Sequence, residues 1–149
     1  MVQPTSLSLD SLYETDETAW LEATSELVRL GRWDEVDAIN LAEYLNDMAR
    51  RDKREVLSRL AVLIAHLLKW SQQPERRSRS WQETVEVQRQ ELGELLESGA
   101  LRNYAEDALA KAYSNGVRQF VAETGLMENS IPIECELSLD EVLSAPLGE

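Results

Sequence analysis

The sequence predicts an all-α fold, a single-domain helical bundle of five to six helices with an irregular C-terminal tail, and three observations carry that expectation. Apolar residues recur at the three-and-four spacing of one helix face over several long stretches. Alternation with period two, the mark of a half-buried strand, is absent over any useful length. Capping residues and helix stops fall where the periodicity begins and ends. At 149 residues the chain has the size of one ordinary domain, enough to bury about two thirds of its unfolded surface.

Residues 1–12 carry a weak pattern and are expected to form a loosely ordered tail, with the bundle over residues 13–143 and a second tail over 144–149. A first helix opens near Asp16, whose side chain can cap free amides, and it carries Trp20, Leu21, Thr24, Leu27, Val28 and Leu30 before Gly31 ends it. Past Arg32 and Trp33, a second helix over residues 34–50 has Val36, Ile39, Leu41, Leu45 and Met48 as its apolar stripe. Around Arg50, Arg51, Asp52 and Lys53 the apolar pattern lapses although nothing there breaks a helix. One long helix and two helices joined by a bend are both open, and the lapse favours a bend near Arg51. Residues 55–70 are apolar over most of the helical circumference, which places the third helix in the middle of the bundle.

Pro74 has no amide proton and clashes with the preceding turn, so the chain must turn between Ser71 and Arg79. Ser80 with Glu83 three residues on has the capping-box spacing and opens a fourth helix, which carries Val85, Val87, Leu92, Leu95 and Leu96 and stops near Gly99. A fifth helix over residues 101–124 is closed by Gly125, with Asn115 and Gly116 as a candidate bend. Ile131 is extended because a proline follows it. Ser138 and Glu141 repeat the capping-box spacing ahead of a short last helix.

The net charge of −13 hides an asymmetry. Between Arg50 and Arg89 lie ten of the fifteen Lys and Arg, against five acidic residues, so this window is basic and the rest strongly acidic. An overall field of that sign argues against nonspecific binding to nucleic acid or to anionic membranes. The longest apolar run falls far short of the roughly 18 residues that span a bilayer, and the N-terminus lacks the basic and apolar regions of a signal peptide. A lone Cys135 excludes an internal disulfide framework and is expected to be an inert, half-buried thiol. The expected compartment is the cytoplasm, with no membrane association.

Two of the four tryptophans and the single histidine fall in the run from His66 to Trp81, HLLKWSQQPERRSRSW. That run, with Thr84, Gln88 and Arg89 after it, resembles the signature of a bacterial family of uncharacterised helical proteins abundant in cyanobacteria, domain-of-unknown-function family twenty-nine. The flanks are similar too: Tyr13, Asp16 and Trp20, then Gly31-Arg32-Trp33-Asp34 with Asp37, Asn40, Leu41 and Glu43, and finally Glu123-Thr124-Gly125-Leu126. The chain departs from the family pattern at Tyr44, where a second acidic residue is usual, and at Glu136-Leu137 after Cys135, where Pro-Trp is common. The resemblance implies an all-helical fold and no assigned activity.

The candidate site is therefore the turn itself, with His66, Lys69, Trp70, Arg76, Arg77, Arg79 and Trp81, and the facing Asn40 and Glu43. As a binding site, the guanidinium groups and the free amides at the start of the fourth helix hold a phosphate or carboxylate, and the tryptophans offer faces for stacking. As a structural lock, Trp70 and Trp81 pack on the core while one arginine pairs with Glu43. The expected partner is an unidentified protein or a small anionic ligand, with self-association left open. No cofactor is expected. Asp37, Asn40, Glu43 and Asp47 with His66 offer oxygen and nitrogen ligands at helical spacing, but a single histidine does not furnish a di-iron bundle, and no metal is expected. The competing class is an RNA-cleaving enzyme: Arg59 and His66 share a helix face and resemble the arginine–histidine pair of the higher-eukaryote-and-prokaryote nucleotide-binding helical ribonucleases. There the spacing is shorter, and a polar residue stands where Leu60 follows the arginine here.

Overall fold

The computed structural model describes residues 8–149, and among them it contains six α-helices, three short 3-10 turns and no strand. The expected all-α class stands. The helices are α1 (Leu9–Thr15), α2 (Glu17–Arg29), α3 (Ala38–Gln72), α4 (Arg79–Leu95), α5 (Gly99–Thr124) and α6 (Leu139–Ser144). The chain groups into two compact units, Met1–Arg50 and Arg51–Glu149, and α3 contributes residues to both.

In the first unit, α1 occupies part of the stretch expected to be a tail, and the remainder of that stretch, residues 1–7, lies outside the described residues. Ser8 caps α1 by accepting from the Ser11 amide at 3.3 Å. Asp16 ends α1 and begins α2: its backbone N–H donates to the Leu12 carbonyl at 2.7 Å, and its carboxylate accepts from the Ala19 amide at 3.1 Å. Gly31 closes α2 with φ of 72°, a conformation open to glycine at little cost. The Gly31 and Arg32 amides then take the Val28 and Leu27 carbonyls, the Schellman arrangement.

Trp20 is the centre of this unit and is fully buried. Tyr13 meets it edge-on with ring centroids 4.7 Å apart, and Tyr44 lies 5.9 Å away. The expected stripe of the second helix is rotated as a result. Leu41, Tyr44 and Met48 turn inward, whereas Ile39 and Leu45 are exposed. Residues 33–35 form a 3-10 turn, so the helix starts at Ala38 and not at Asp34. Asp37 sets that start by accepting from the Asn40 amide at 3.3 Å.

α3 runs as one continuous helix through Arg51, not as two helices. Arg50, Arg51, Lys53 and Arg54 are all good helix formers, and two ion pairs along the helix, Arg50 with Asp47 at 3.2 Å and Arg59 with Glu55 at 3.0 Å, support the stretch where the apolar pattern lapses. Polar residues there face solvent without interrupting the hydrogen-bond ladder.

The second unit is built on a core of Val56, Leu60, Leu63 and Ile64 from α3, Val85 and Leu92 from α4, Ala112, Val117 and Phe120 from α5, and Leu139 and Val142 from α6. Three boundaries differ from expectation. Ser78, not Ser80, caps α4, with its hydroxyl accepting from the Trp81 amide at 3.2 Å. The fourth helix ends at Leu95, and Gly99 starts α5 behind the Ser98 cap. Nor do Asn115 and Gly116 interrupt α5; Gly116 instead lets α5 approach α3 closely, because a Cβ there would lie 2.8 Å from Ile64 Cγ2 and 3.0 Å from the Ala61 carbonyl oxygen. Gly125, with φ of 72°, ends α5 as expected, and the Ser138–Glu141 capping box opens α6.

The crossing at Gly116 yields a paired test by chemical denaturation. Alanine normally stabilises a helix interior over glycine by about 1 kcal/mol, and Gly93→Ala, with open space around the new methyl, should show a gain of that kind. Gly116→Ala should instead lose about 1–3 kcal/mol, since the neighbouring α3 backbone must move to admit it.

Candidate functional site

The Pro74 turn joins α3 to α4 in the second unit. Pro74, Glu75 and Arg76 form a single 3-10 turn, and the chain runs extended through Arg77 and Ser78 into α4. Gln73 is buried, and its amide continues the α3 ladder to the Lys69 carbonyl at 2.9 Å.

Trp70 organises the turn. Its backbone carbonyl, near the C-terminal end of α3 where carbonyls lack partners within the helix, accepts from Arg77 Nε at 2.9 Å. The guanidinium of the same arginine lies 4.8 Å from the centroid of the Trp70 ring, a cation–π contact. The indole Nε1 donates in turn to the Gly148 carbonyl at 2.7 Å. One residue thus fixes the returning chain on one side and the C-terminal segment on the other.

Lys69 is engaged as well. Its ammonium pairs with Glu123 of α5, and its side chain is only 11% exposed. It also stands 5.8 Å from the centroid of the Trp81 ring. The Lys69 hydrogen bond, before all else, holds the Glu123 carboxyl below its ordinary value of 4.5; burial opposes this, while Gln119 and the charges of Lys69 and His66 assist. His66 is half-buried, and its Nδ1 lies 2.9 Å from the Val62 carbonyl one turn back, so Nδ1 carries the proton in that bond.

Arg76 and Arg79 stand apart from this arrangement. Both are exposed, and neither joins an ion pair among the described residues. Arg79 is the first residue of α4, and Trp81 is half-buried beside it.

Asn40 and Glu43 belong to the first unit, and the expected pairing of the turn's arginines with Glu43 gives way to other bonds. Asn40 Nδ2 donates to Asp10 at 3.0 Å and to Asp37 at 2.8 Å. Asp37 also accepts from the buried Trp20 indole at 3.3 Å, so Asn40 and Asp37 together fasten α3 to α1 and α2. Glu43 lies near the Tyr13 hydroxyl; burial first, and then the charges of Glu43, Asp47 and Glu17, push that phenol up. The reason is steric as much as electrostatic: the Trp20 cluster orients this end of α3, and its polar face serves the first unit.

Arg59 donates to Glu55 at 3.0 Å and to Gln88 at 3.1 Å, and approaches Glu91 at 3.9 Å. Its guanidinium is spent on protein acceptors, and nothing in the geometry supports a ribonuclease pair with His66. Among the described residues, no three His, Cys, Asp or Glu side chains gather where a metal ion could be held. Glu123, Arg89 and Gly148 were given no role from sequence. The first two lie within the family resemblance, a signal of importance that names no partner; Gly148 has no sequence signal, since it acts through its carbonyl.

The model of the family described as Domain of unknown function DUF29 matches residues 12–146, nearly the whole chain. Compared with curated proteins and with solved structures, the chain matches none. No helix among the described residues is long and apolar enough to cross a membrane.

The Lys69–Glu123 pair predicts a pH-dependent contribution. A carboxyl whose folded pKa is depressed stabilises the fold above its unfolded value and loses that contribution as pH falls through the folded value. Glu123→Gln should therefore cost about 1–2 kcal/mol near neutral pH, where it strands a nearly buried ammonium. The gap between parent and variant should close as denaturation is followed down through the acid range below 4.5.

Proposed function

The chain belongs to the DUF29 family, and from that premise we propose that it is a binding module whose recognition surface is the rim of the Pro74 turn, where Arg76 and Arg79 take an acidic segment of a partner protein. One observation carries this reading: in a chain with 28 acidic and 15 basic residues, two neighbouring arginines are left exposed and unpaired among the described residues, while Lys69 and Arg77 on either side of Arg76 are committed to internal partners.

Physical chemistry supports the division of labour. The lock formed by Trp70, Arg77 and the Ser78 cap fixes the backbone that carries the free arginines, which lowers the ordering cost of binding. Guanidinium is the group best matched to carboxylates, through its planar fork of donors. The N-terminal end of α4 adds the favourable end of a helix dipole close by. The rim is open surface, which suits a protein segment better than a small molecule that needs enclosure. The working compartment in this reading is a reducing cytosol, where Cys135 stays a thiol. Because the chain as a whole is acidic, attraction to an acidic partner acts only at short range and weakens with salt.

The test is capture of partners by the tagged protein from its native cytosol, read by native mass spectrometry beside an Arg76→Ala/Arg79→Ala double variant. The variant should fold with stability within about 0.5 kcal/mol of the parent, as exposed substitutions do, and should lose an acidic partner that the parent retains and that elutes with moderate salt. A partner retained equally by the variant would overturn the assignment of the rim.

A further inference from the structure

A cavity of about 380 Å³ lies within the second unit, between the last turns of α3, Arg89 of α4 and the segment around α6. Leu67, Leu68, Trp70, Val142 and Leu147 give it largely apolar walls. Among the described residues, Arg89 is the one cation lining it. Its Nε donates to the Val142 carbonyl at 3.1 Å, and its Nη2 is buried with no hydrogen-bond partner among the described residues. Nor does Arg89 join any ion pair there.

A guanidinium keeps its charge even where burial draws its basicity down, as it does here. An unpaired charged donor removed from water is costly, and natural structures seldom leave one without a purpose. Two glutamates also line the cavity, but both are exposed, and Glu141 already accepts from the Ser138 amide at 3.1 Å. Their charges stand in water, where screening is strong. Glu86, one turn earlier on α4 and exposed, acts on Arg89 through its charge without forming an ion pair; among the described residues Nη2 lacks an acceptor, and what most of the remaining walls can take is hydrocarbon. A space of this volume falls in the range of small-molecule sites.

We propose that this cavity binds a small amphipathic carboxylate, its acid group paired with Arg89 and its apolar body against Leu67, Leu68 and Trp70. The segment that ends in Gly148 forms one wall and is held in place by the Trp70 indole. The site is separate from Arg76 and Arg79, so either assignment can fail without the other.

Decanoate, 1-decanol and decylamine, each below its aggregation limit, serve as probes that share one hydrocarbon chain and differ in the head group. Titration into the full chain near neutral pH, followed by calorimetry and by tryptophan emission, should show decanoate binding about tenfold or more tighter than 1-decanol, as expected of a charge-assisted pair, with decylamine weakest. Arg89→Met should erase the difference between acid and alcohol. Ala145→Phe fills the cavity while leaving Arg89 and its bond to Val142 in place, and should abolish binding of both. The proposal is overturned by a folded parent that does not bind decanoate, by equal affinity for acid and alcohol, or by decanoate binding that survives Ala145→Phe. Should Arg89→Met fail to fold, the head-group series and the Ala145 variant still decide the matter.

Discussion

The three contacts made by Trp70 are the constraint on which the second unit's functional surfaces depend. A proline two residues past the end of a helix stops that helix but does not say where the chain goes next. Here the direction is set by Arg77, which returns to the Trp70 carbonyl and stacks on its ring. The same indole then holds Gly148 and with it the wall of the apolar cavity. Both faces of the unit, the arginine rim and the cavity, thus rest on one side chain at the end of α3.

Charge is distributed in the same spirit. An acidic chain has carboxylates to spare, and several basic side chains of the second unit have acquired acidic partners: Lys69 has Glu123, Arg59 has Glu55, Arg102 has Asp140. Ion pairs at the surface are weak, so their presence says little about stability. Their absence is more informative. Arg76 and Arg79 are solvated and unpaired among the described residues, which costs nothing in the free protein and leaves them available. Arg89 joins no ion pair among the described residues and its Nη2 is buried there without a hydrogen-bond partner, which does cost and is the ground for proposing an acceptor from outside.

Signals confined to a few residues were legible in the sequence. Asp16, Gly31, Gly125 and the Ser138–Glu141 box act through hydrogen bonds to amides or carbonyls within one helical turn, so spacing alone finds them. Competing local signals were harder to rank. Ser80 with Glu83 has the better capping-box spacing, yet the 3-10 turn at Pro74 ends early enough for Ser78 to take the Trp81 amide first. Gly99 resembles a helix stop but follows Ser98, whose hydroxyl caps the next helix. The lapse in apolar pattern near Arg51 marks the boundary between two compact units and not the end of a helix, because solvent-facing helix formers can continue a helix that no longer packs on a core. Pairings across the chain were beyond reach. That Arg77 chooses a backbone carbonyl over Glu43, that Asn40 goes to Asp10 and Asp37, and that a C-terminal glycine accepts from Trp70 all depend on how the elements fold together, and no spacing encodes them.

The most direct measurement is a double-mutant cycle between Trp70 and Arg77, with Trp70→Ala, Arg77→Ala and the pair compared with the parent by chemical denaturation. If the stacked guanidinium is what locks the turn, the two substitutions should be non-additive, with a coupling of about 0.5–1 kcal/mol. Additive losses within error would mean that the ring and the guanidinium are neighbours without mutual stabilisation, and the turn would no longer qualify as the fixed platform on which Arg76 and Arg79 are presented.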